Sequence, residues 1–282
     1  MSNQATITVS TLWRYPVKSM MGEELNGTHV TLGGVLGDRS YALIDTATDN
    51  VISAKNPKKW PDLFSFRAAY TTPPDATLPA IWIHLPNGEV LRSDAADVNQ
   101  QLSAALGSDV KLATQAPDAA TLEQYWPEYD GESNEISSEA VAGDAPQGSF
   151  FDYAALHLLT TSSIAAMQKL YPEGRFEVRR FRPNMMIDTS GLEGFVENDW
   201  VGKTIKIGDT LRLRISDPCP RCVMPTLAQG DLPQDNGIFK HAIAKNRPLV
   251  PFAGKELPSV GVYAQVLTAG WVKRGDSIVI ED

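Results

Sequence analysis

The sequence predicts a mainly β protein with some α/β elements, arranged as two domains over residues 1–120 and 121–282. Short stretches rich in Val, Ile, Thr and aromatic residues recur at close spacing, separated by Gly-Asp, Gly-Gly and Pro-Asn-Gly turn signals. This spacing is typical of a β-barrel or sandwich, and we expect a barrel in the second domain. An acidic stretch containing Pro, Gly and Ser separates the two halves and suggests the boundary.

The elements of the first half follow from local patterns. Thr6–Tyr15 alternates apolar and polar residues and predicts a strand, and Arg39–Asp45 predicts another after a Gly-Asp turn. Ala80–His84 and Glu89–Ser93 flank Pro-Asn-Gly, which indicates a hairpin. In Asp94–Leu106 the apolar residues share one helical face and a glycine follows, so we expect a helix there.

The second half mixes one helix with short strands. After a strand at His157–Leu159, capping residues and apolar residues at helical spacing predict a helix that ends by Gly174. Alternation predicts a strand at Glu177–Asp188. Further strands are expected at Thr204–Ile207, Thr210–Ser216 and Ser277–Ile280.

Composition and charge exclude several classes of protein. The net charge of −9 argues against a general nucleic-acid binder. We find no apolar run of the roughly 18 residues that span a bilayer, and no signal-peptide pattern at the start. Because a single pair of nearby cysteines also suits a reducing compartment, we expect a cytoplasmic protein that binds no membrane.

The acidic charge is concentrated in one segment. Pro117–Gly148 contains eight acidic residues and no Lys or Arg, and without these eight the net charge would be −1. The remainder is therefore nearly neutral, so local basic clusters could bind an anion. We interpret the segment as a solvated linker, with a docking surface for a basic partner as the alternative.

The motif EVRRFRPNMMID contains the clearest candidate for anion binding. If residues 177–188 form a strand, Arg180, Arg182 and Asn184 lie on one face and apolar side chains on the other. Guanidinium groups bind phosphate or carboxylate in a fork geometry, and an amide can pair with the edge of a heterocycle. The alternative is a solvated strand face that carries surface charge.

Two further basic positions follow turn signals in the first half. Lys18 and Ser19 come directly after a strand and a proline, where backbone amides and side chains can converge on an anion. Arg39 stands at the start of the next predicted strand. For all three residues, a plain turn without a ligand is the alternative.

The two cysteines of the chain, Cys219 and Cys222, lie in DPCPRCVMPT. A zinc site would need a second pair or spaced histidines, and a thioredoxin-type pair should begin a helix after a strand. The surrounding prolines instead predict a turn or loop. Two buried structural cysteines, or one thiolate that binds a soft metal within a cofactor, remain open. In the latter case Arg221 and the arginine strand would hold the anionic part of the cofactor.

Four motifs in this order, YPVKS, GDRSYALID, FRPNMMID and CPRC, resemble those of MOSC proteins, and among them the bacterial relatives of the mitochondrial amidoxime-reducing component. The resemblance implies an N-terminal MOSC-associated α/β domain followed by a MOSC β-barrel, with a bound molybdenum cofactor whose dithiolene supplies two sulfurs. It implies that Cys222 is the metal ligand and that Cys219 is a neighbour. The cofactor-binding residues that it implies are Lys18, Ser19, Arg39, Arg182 and Asn184. Arg180 is added from the strand pattern alone, and Asp152 stands where relatives have an acid.

The function implied by the resemblance is the reduction of N-hydroxylated or N-oxygenated compounds, with Cys222 as the catalytic residue at the metal. No cysteine follows Cys222, so we expect electrons from a separate flavin or iron–sulfur protein. The segment after the cysteines follows the family pattern only loosely, which leaves the substrate open. The alternatives are a non-catalytic carrier of the cofactor or of persulfide sulfur, and a binding module for another phosphorylated ligand.

Overall fold

The computed structural model describes residues 7–75, 77–127 and 136–281. Within these ranges, none of the helices is both long and apolar enough to cross a membrane. The α-helices are α1 (Val98–Leu106), α2 (Thr161–Leu170) and α3 (Val178–Phe181). The strands of the first half are β1 (Thr8–Arg14), β2 (Glu23–Leu25), β3 (Gly27–Thr31), β4 (Gly34–Val35), β5 (Ala42–Asp45), β6 (Arg67–Tyr70), β7 (Ile81–His84), β8 (Val90–Arg92), β9 (Val110–Ala113), β10 (Thr121–Tyr125) and β11 (Ile136–Ala140). Those of the second half are β12 (Leu156–Thr160), β13 (Met185–Asp188), β14 (Thr204–Ile207), β15 (Leu211–Pro220), β16 (Leu249–Val250), β17 (Lys255–Glu256), β18 (Ser259–Thr268), β19 (Gly270–Lys273) and β20 (Ile278–Glu281).

The main sheet has eight strands in the order β2-β1-β13-β12-β18-β15-β14-β20. Adjacent strands of this sheet are antiparallel, except that β12 and β13 are parallel. The chain between β12 and β13 passes through α2. The sheet curls so that the start of β1 meets the chain just before β20, where Thr8 bridges Ser277. This contact brings the two ends of the sheet together and produces the barrel that the sequence predicts.

Alternating side chains fill the interior of the barrel. Leu12 of β1, Leu158 of β12, Ile187 of β13, Leu213 of β15 and Val262 of β18 are all fully buried in one apolar cluster. Because side chains alternate between the two faces of a strand, the same strands present their other residues to the layers outside the barrel. A second cluster there joins α2 to the segment Ile238–Ala242.

The first half folds around smaller sheets. β6, β7 and β8 form an antiparallel meander, and β5 pairs with β9. The first two strands of the chain belong to the barrel sheet, and β19 near the end of the chain pairs with β3. The two halves therefore exchange strands, and the boundary at residue 120 remains a prediction.

Most predicted elements are confirmed within a few residues. The helix predicted at Asp94–Leu106 begins only at Val98 and ends at Leu106, and Gly107 after it has the left-handed φ of 66° that suits glycine. Thr160 accepts a hydrogen bond from the backbone N–H of Ser163 and caps α2. The strand at Ser259–Thr268 was not predicted, although it lies at the centre of the main sheet.

The predicted strand at Glu177–Asp188 is wrong in its first half. Val178–Phe181 forms a short helix, Arg182 has a left-handed φ of 54°, and the strand begins only at Met185. The alternation of arginines with apolar residues therefore does not place these arginines on one face of a strand. Four residues are too few to show helical periodicity, so the pattern could equally suit a strand.

The acidic segment is not simply a linker. β10 and β11 pair along five residue positions to form a ribbon. The acids Glu128, Asp130, Glu132 and Glu135 lie outside the described residues. The described part packs against the rest of the protein through Leu122, which is buried with Phe150.

Candidate functional site

A cavity of about 670 Å³ lies beside the end of β15. Its walls come from distant parts of the chain: the turn after β1, the β10–β11 ribbon, the loop before β12, the end of α3, and the hairpin formed by β16 and β17. Six of the seven predicted site residues line it, namely Lys18, Ser19, Arg39, Arg182, Asn184 and Cys222. Asp152 and Arg221 line it too.

The two cysteines occupy different positions at the cavity wall. Cys219 is part of β15, so the turn predicted there is wrong for this residue, while Cys222 follows the strand. Both are free and buried. Arg221 lies between them, and its Nη1 donates to the Sγ of Cys219 at 3.0 Å while its Nη2 donates to the carbonyl of Phe181 at 2.8 Å.

Arg221 also has a donor without an acceptor. Its Nε is buried and makes no hydrogen bond to any described residue. A buried guanidinium N–H without an acceptor costs free energy, and an acceptor brought by a ligand would recover it. The side chain lines the cavity, so a bound anion or heterocycle can supply that acceptor.

Burial raises the pKa of the Cys222 thiol, and the nearby ammonium of Lys55 opposes that rise. The free side chain is therefore a neutral thiol at neutral pH. A metal ion binds the thiolate, so metal binding at Cys222 must release a proton.

Lys18, Asp152 and Lys55 form an ion-paired group on the cavity wall. Lys18 contacts Asp152 and donates to the carbonyl of Phe150 at 2.8 Å, and Lys55 Nζ lies 3.1 Å from the other Asp152 oxygen. Burial lowers the pKa of Lys18 to about 8, against the attraction of Asp152. Although burial acts to raise it, the two ammonium groups hold the pKa of Asp152 well below its usual range. The group carries one net positive charge.

Ser19 and Arg39 are held in turns by their backbone conformation. Both have positive φ, 64° for Ser19 and 47° for Arg39, which non-glycine residues rarely adopt. The Oγ of Ser19 accepts from the backbone N–H of Ala54 at 3.0 Å. Arg39 pairs with Asp38, and its guanidinium lies 4.8 Å from the centre of the Tyr15 ring. These contacts fix both side chains at the wall of the cavity.

Arg182 packs on the same tyrosine. Its guanidinium lies 4.1 Å from the centre of the Tyr15 ring, and Nη1 donates to the carbonyl of Met20 at 2.6 Å. Burial lowers the pKa of Arg182 to about 10, so it remains charged at neutral pH. Two arginines that share one aromatic ring place two positive charges close together, which suits a phosphate.

Both polar atoms of the Asn184 side chain form hydrogen bonds within the protein. Its Oδ1 accepts from the backbone N–H of His157 at 3.2 Å, and its Nδ2 donates to Asp38 at 2.8 Å and toward the carbonyl of Trp13 at 3.4 Å. In this arrangement Asn184 joins three segments of the cavity wall. A direct contact between its amide and a ligand remains a prediction.

Arg180 is the predicted residue that does not line the cavity. The side chain is fully buried and donates to four backbone carbonyls, those of Arg175, Pro225, Leu227 and Pro233, at 2.8–3.1 Å. The expected position on a strand face fails because this segment is helical. Arg180 instead holds the loop that follows Cys222.

Sequence reasoning missed several residues of the cavity. Lys55, Tyr153, His157, Phe252 and Tyr263 line it, and each lies in a stretch without a recognisable motif. Tertiary contacts bring them together from across the chain. The position of Tyr153 directly after Asp152, which the resemblance indicates, is the one sequence signal that points to any of these five residues.

Two family models match the chain one after the other. Residues 6–126 match the model of the MOSC N-terminal beta barrel domain, and residues 145–279 match that of the MOSC domain. Mitochondrial amidoxime-reducing component 1 of Mus musculus is 24% identical over an alignment of 295 positions, gaps included, that spans 97% of this chain and 82% of the mouse protein. YuaD of Bacillus subtilis is 12% identical at a TM-score of 0.41, covering 98% of this chain and 95% of that one. YiiM of Geobacillus stearothermophilus is 16% identical at a TM-score of 0.30, covering 57% of this chain and 72% of that one. With both domain models matched in order over nearly its whole length, the chain belongs to the MOSC family.

Proposed function

We propose that the cavity binds the molybdenum cofactor, with the Cys222 thiolate as the protein ligand to the metal, and that the protein reduces N-hydroxylated compounds. The observation that carries the proposal is the position of Cys222 in a wall that also presents Lys18, Arg39, Arg182 and Arg221. A thiolate suits a soft or highly oxidised metal, and the basic side chains suit an anionic cofactor. MOSC domains are associated with this cofactor, which supports the same assignment.

The residues present fit the chemistry of such a cofactor. The pterin phosphate needs cationic partners, and Arg39 and Arg182 are held side by side on Tyr15. The pterin ring offers hydrogen-bond acceptors. The buried Nε of Arg221 has no acceptor among the described residues, so the pterin ring can supply one. The metal needs a sulfur ligand beyond the dithiolene, which Cys222 can provide. These side chains therefore match the phosphate, the pterin ring and the metal of the cofactor.

The chemistry that the bound cofactor supplies is a two-electron reduction at molybdenum. The protein side chains have separate tasks around it. Cys222 would hold the metal as a thiolate after losing its proton, and the ammonium of Lys55 favours that charged form of the sulfur. Arg221 holds Cys219 through its Nη1 and thereby fixes the segment between the two cysteines.

A separate electron-donor protein, flavin or iron–sulfur, completes the proposed reaction. Reduction of an N-hydroxy group to an amine and water consumes two electrons and two protons. The two thiols of this chain are proposed as ligand and neighbour, so the electrons must come from outside. The relative named amidoxime-reducing component supports N-hydroxylated compounds as the substrate class.

The test is the molybdenum content of the protein purified from a host that makes the cofactor, measured by mass spectrometry. Wild type and Cys219→Ala should hold near-stoichiometric molybdenum, and Cys222→Ala should lose it or change its absorption spectrum. Loaded wild type should then reduce benzamidoxime with reduced methyl viologen as donor.

Three results would count against parts of this proposal. No molybdenum in wild type would refute the cofactor site. Equal metal content and spectra in both cysteine variants would refute Cys222 as the ligand. Full metal content without reduction of any N-oxygenated compound would refute the proposed reductase activity. In that case, a persulfide on Cys222, detected in the intact mass, would favour a sulfur carrier.

A further inference from the structure

We propose that the hairpin Leu249–Glu256 selects planar aromatic substrates, with Phe252 and Tyr153 as the residues that bind the ring. The inference rests on the proposed function, because it names the substrate class for the same cavity. Only the first residues of this hairpin, Leu249, Val250 and Pro251, lie in the stretch that follows the family pattern loosely.

The hairpin is a short element that the barrel holds in place. β16 and β17 pair antiparallel, and the turn between them, Pro251–Ala253, forms one 3₁₀ turn. The backbone N–H of Phe252 donates to Asp217 of β15 at 3.3 Å. Asp217 lies two residues before Cys219, so the hydrogen bond ties the tip of the hairpin to the strand that enters the cysteine segment.

The tip of the hairpin places an aromatic ring against the cavity. Phe252 stacks on Tyr153 with ring centres 4.1 Å apart and an angle of 28° between planes. Tyr153 also lies 5.3 Å from Tyr263, and all three rings line the cavity. The side chain of Phe252 remains 48% exposed, so stacking on Tyr153 covers only part of its ring.

The cavity therefore has walls of two chemical kinds. The turn after β1, the turn before β5 and the end of α3 contribute Lys18, Arg39 and Arg182, respectively, and these side chains suit an anion. The hairpin and the segment before β12 contribute Phe252 and Tyr153, which suit a planar apolar body. Aromatic rings prefer offset stacking on one another, and such pairs contribute about 2- to 12-fold in affinity beyond the area that they bury. The aromatic wall would bind the ring of a substrate whose N-hydroxy group points toward Cys222, beside the cationic wall.

The experiment compares two ligands that share one N-hydroxy head group. Benzamidoxime carries an aromatic ring, and acetamidoxime carries a methyl group in its place. Binding is measured by calorimetry on the oxidised, cofactor-loaded protein without an electron donor, so that neither compound is turned over. The readout is the ratio of the two dissociation constants for each variant.

We expect wild type to bind benzamidoxime more tightly than acetamidoxime. Phe252→Leu keeps apolar bulk but loses the ring, so the ratio should fall by about 2- to 12-fold. Phe252→Tyr should retain the ratio. The matched control is Leu249→Ala, which changes an exposed residue of the same hairpin outside the cavity wall and should leave the ratio unchanged.

An unchanged ratio in Phe252→Leu, or no preference in wild type, would overturn the inference. These outcomes are separable from failure of the proposed function. Ring preference in a protein that reduces neither compound would leave the aromatic wall standing and refute the reductase. Reduction of both compounds, bound with equal affinity, would support the reductase and refute the aromatic wall.

Discussion

The buried imidazole of His157 should make the stability of this protein fall in mild acid. The side chain lies on β12 at the cavity and is 6% exposed, and its Nε2 lies 3.3 Å from the carbonyl of Val260. Burial, assisted by the positive charge of Arg221, lowers the pKa of His157 from 6.5 to about 3. The folded protein therefore keeps this imidazole neutral at pH values where the unfolded chain protonates it.

The sign and size of the effect follow from linkage. A group with a lowered pKa in the folded state binds protons better when unfolded, so its stabilisation is complete above pH 6.5 and declines as the pH falls toward 3. With one pKa unit corresponding to 1.36 kcal/mol, the free energy of unfolding should lose about 2–3 kcal/mol between pH 8 and pH 4.5 through His157 alone.

The assay is urea unfolding of wild type and His157→Gln at pH 8, 6.5, 5.5 and 4.5. Glutamine does not titrate in this range, so the stability gap between the two proteins should shrink, or reverse, by about 2–3 kcal/mol toward low pH. His84→Gln, at an exposed histidine of β7, is the control substitution. A constant gap for His157→Gln would refute the reasoning.

Three other substitutions test the packing that shapes the site. Gly261→Ala should cost at least about 3 kcal/mol of unfolding free energy in urea melts, because the residue has a φ of 77° and an added Cβ would lie 2.2 Å from His157 Nε2; a loss below about 1 kcal/mol would contradict the tight contact. Glu197→Ala should cost about 2–4 kcal/mol, because the hydroxyls of Thr160 and Ser163, which donate to the carboxylate at 2.6–2.7 Å, would lose their buried acceptor, whereas Glu197→Gln should cost less; equal losses in both would contradict the acceptor role. Arg180→Met should cost about 3–5 kcal/mol in the same melts and lower the metal content of the purified protein, because four backbone carbonyls lose their donor, two of them, those of Pro225 and Leu227, in buried hydrogen bonds; full stability would refute the positioning of the loop after Cys222.

Local patterns predicted the regular elements better than the segments that form the site. The helix at Val98–Leu106 has apolar residues on one face and a glycine at its end, so sequence alone was sufficient. The stretch around Arg182 failed because a single left-handed residue changes the direction of the chain, and no periodicity signals it. The central strand Ser259–Thr268 contains a glycine with positive φ and is largely buried, so the usual alternation is weak.

The candidate site was predicted through motifs, and its remaining residues come from tertiary structure. Lys18 and Asp152 are 134 residues apart, and their ion pair follows only from the folded arrangement. Lys55 stands in a loop rich in lysine, where the sequence gives no reason to prefer it to its neighbours. Phe252 is an aromatic residue in a hairpin of two-residue strands, too short for a pattern to reveal.

The most direct test of the central claim is to count the sulfur neighbours of molybdenum by X-ray absorption in the loaded protein. A cofactor dithiolene together with the Cys222 thiolate predicts three sulfurs in wild type and in Cys219→Ala. Any metal retained by Cys222→Ala should have two. Two sulfurs in all three proteins, or a loss in Cys219→Ala instead, would contradict the assignment of Cys222 as the metal ligand.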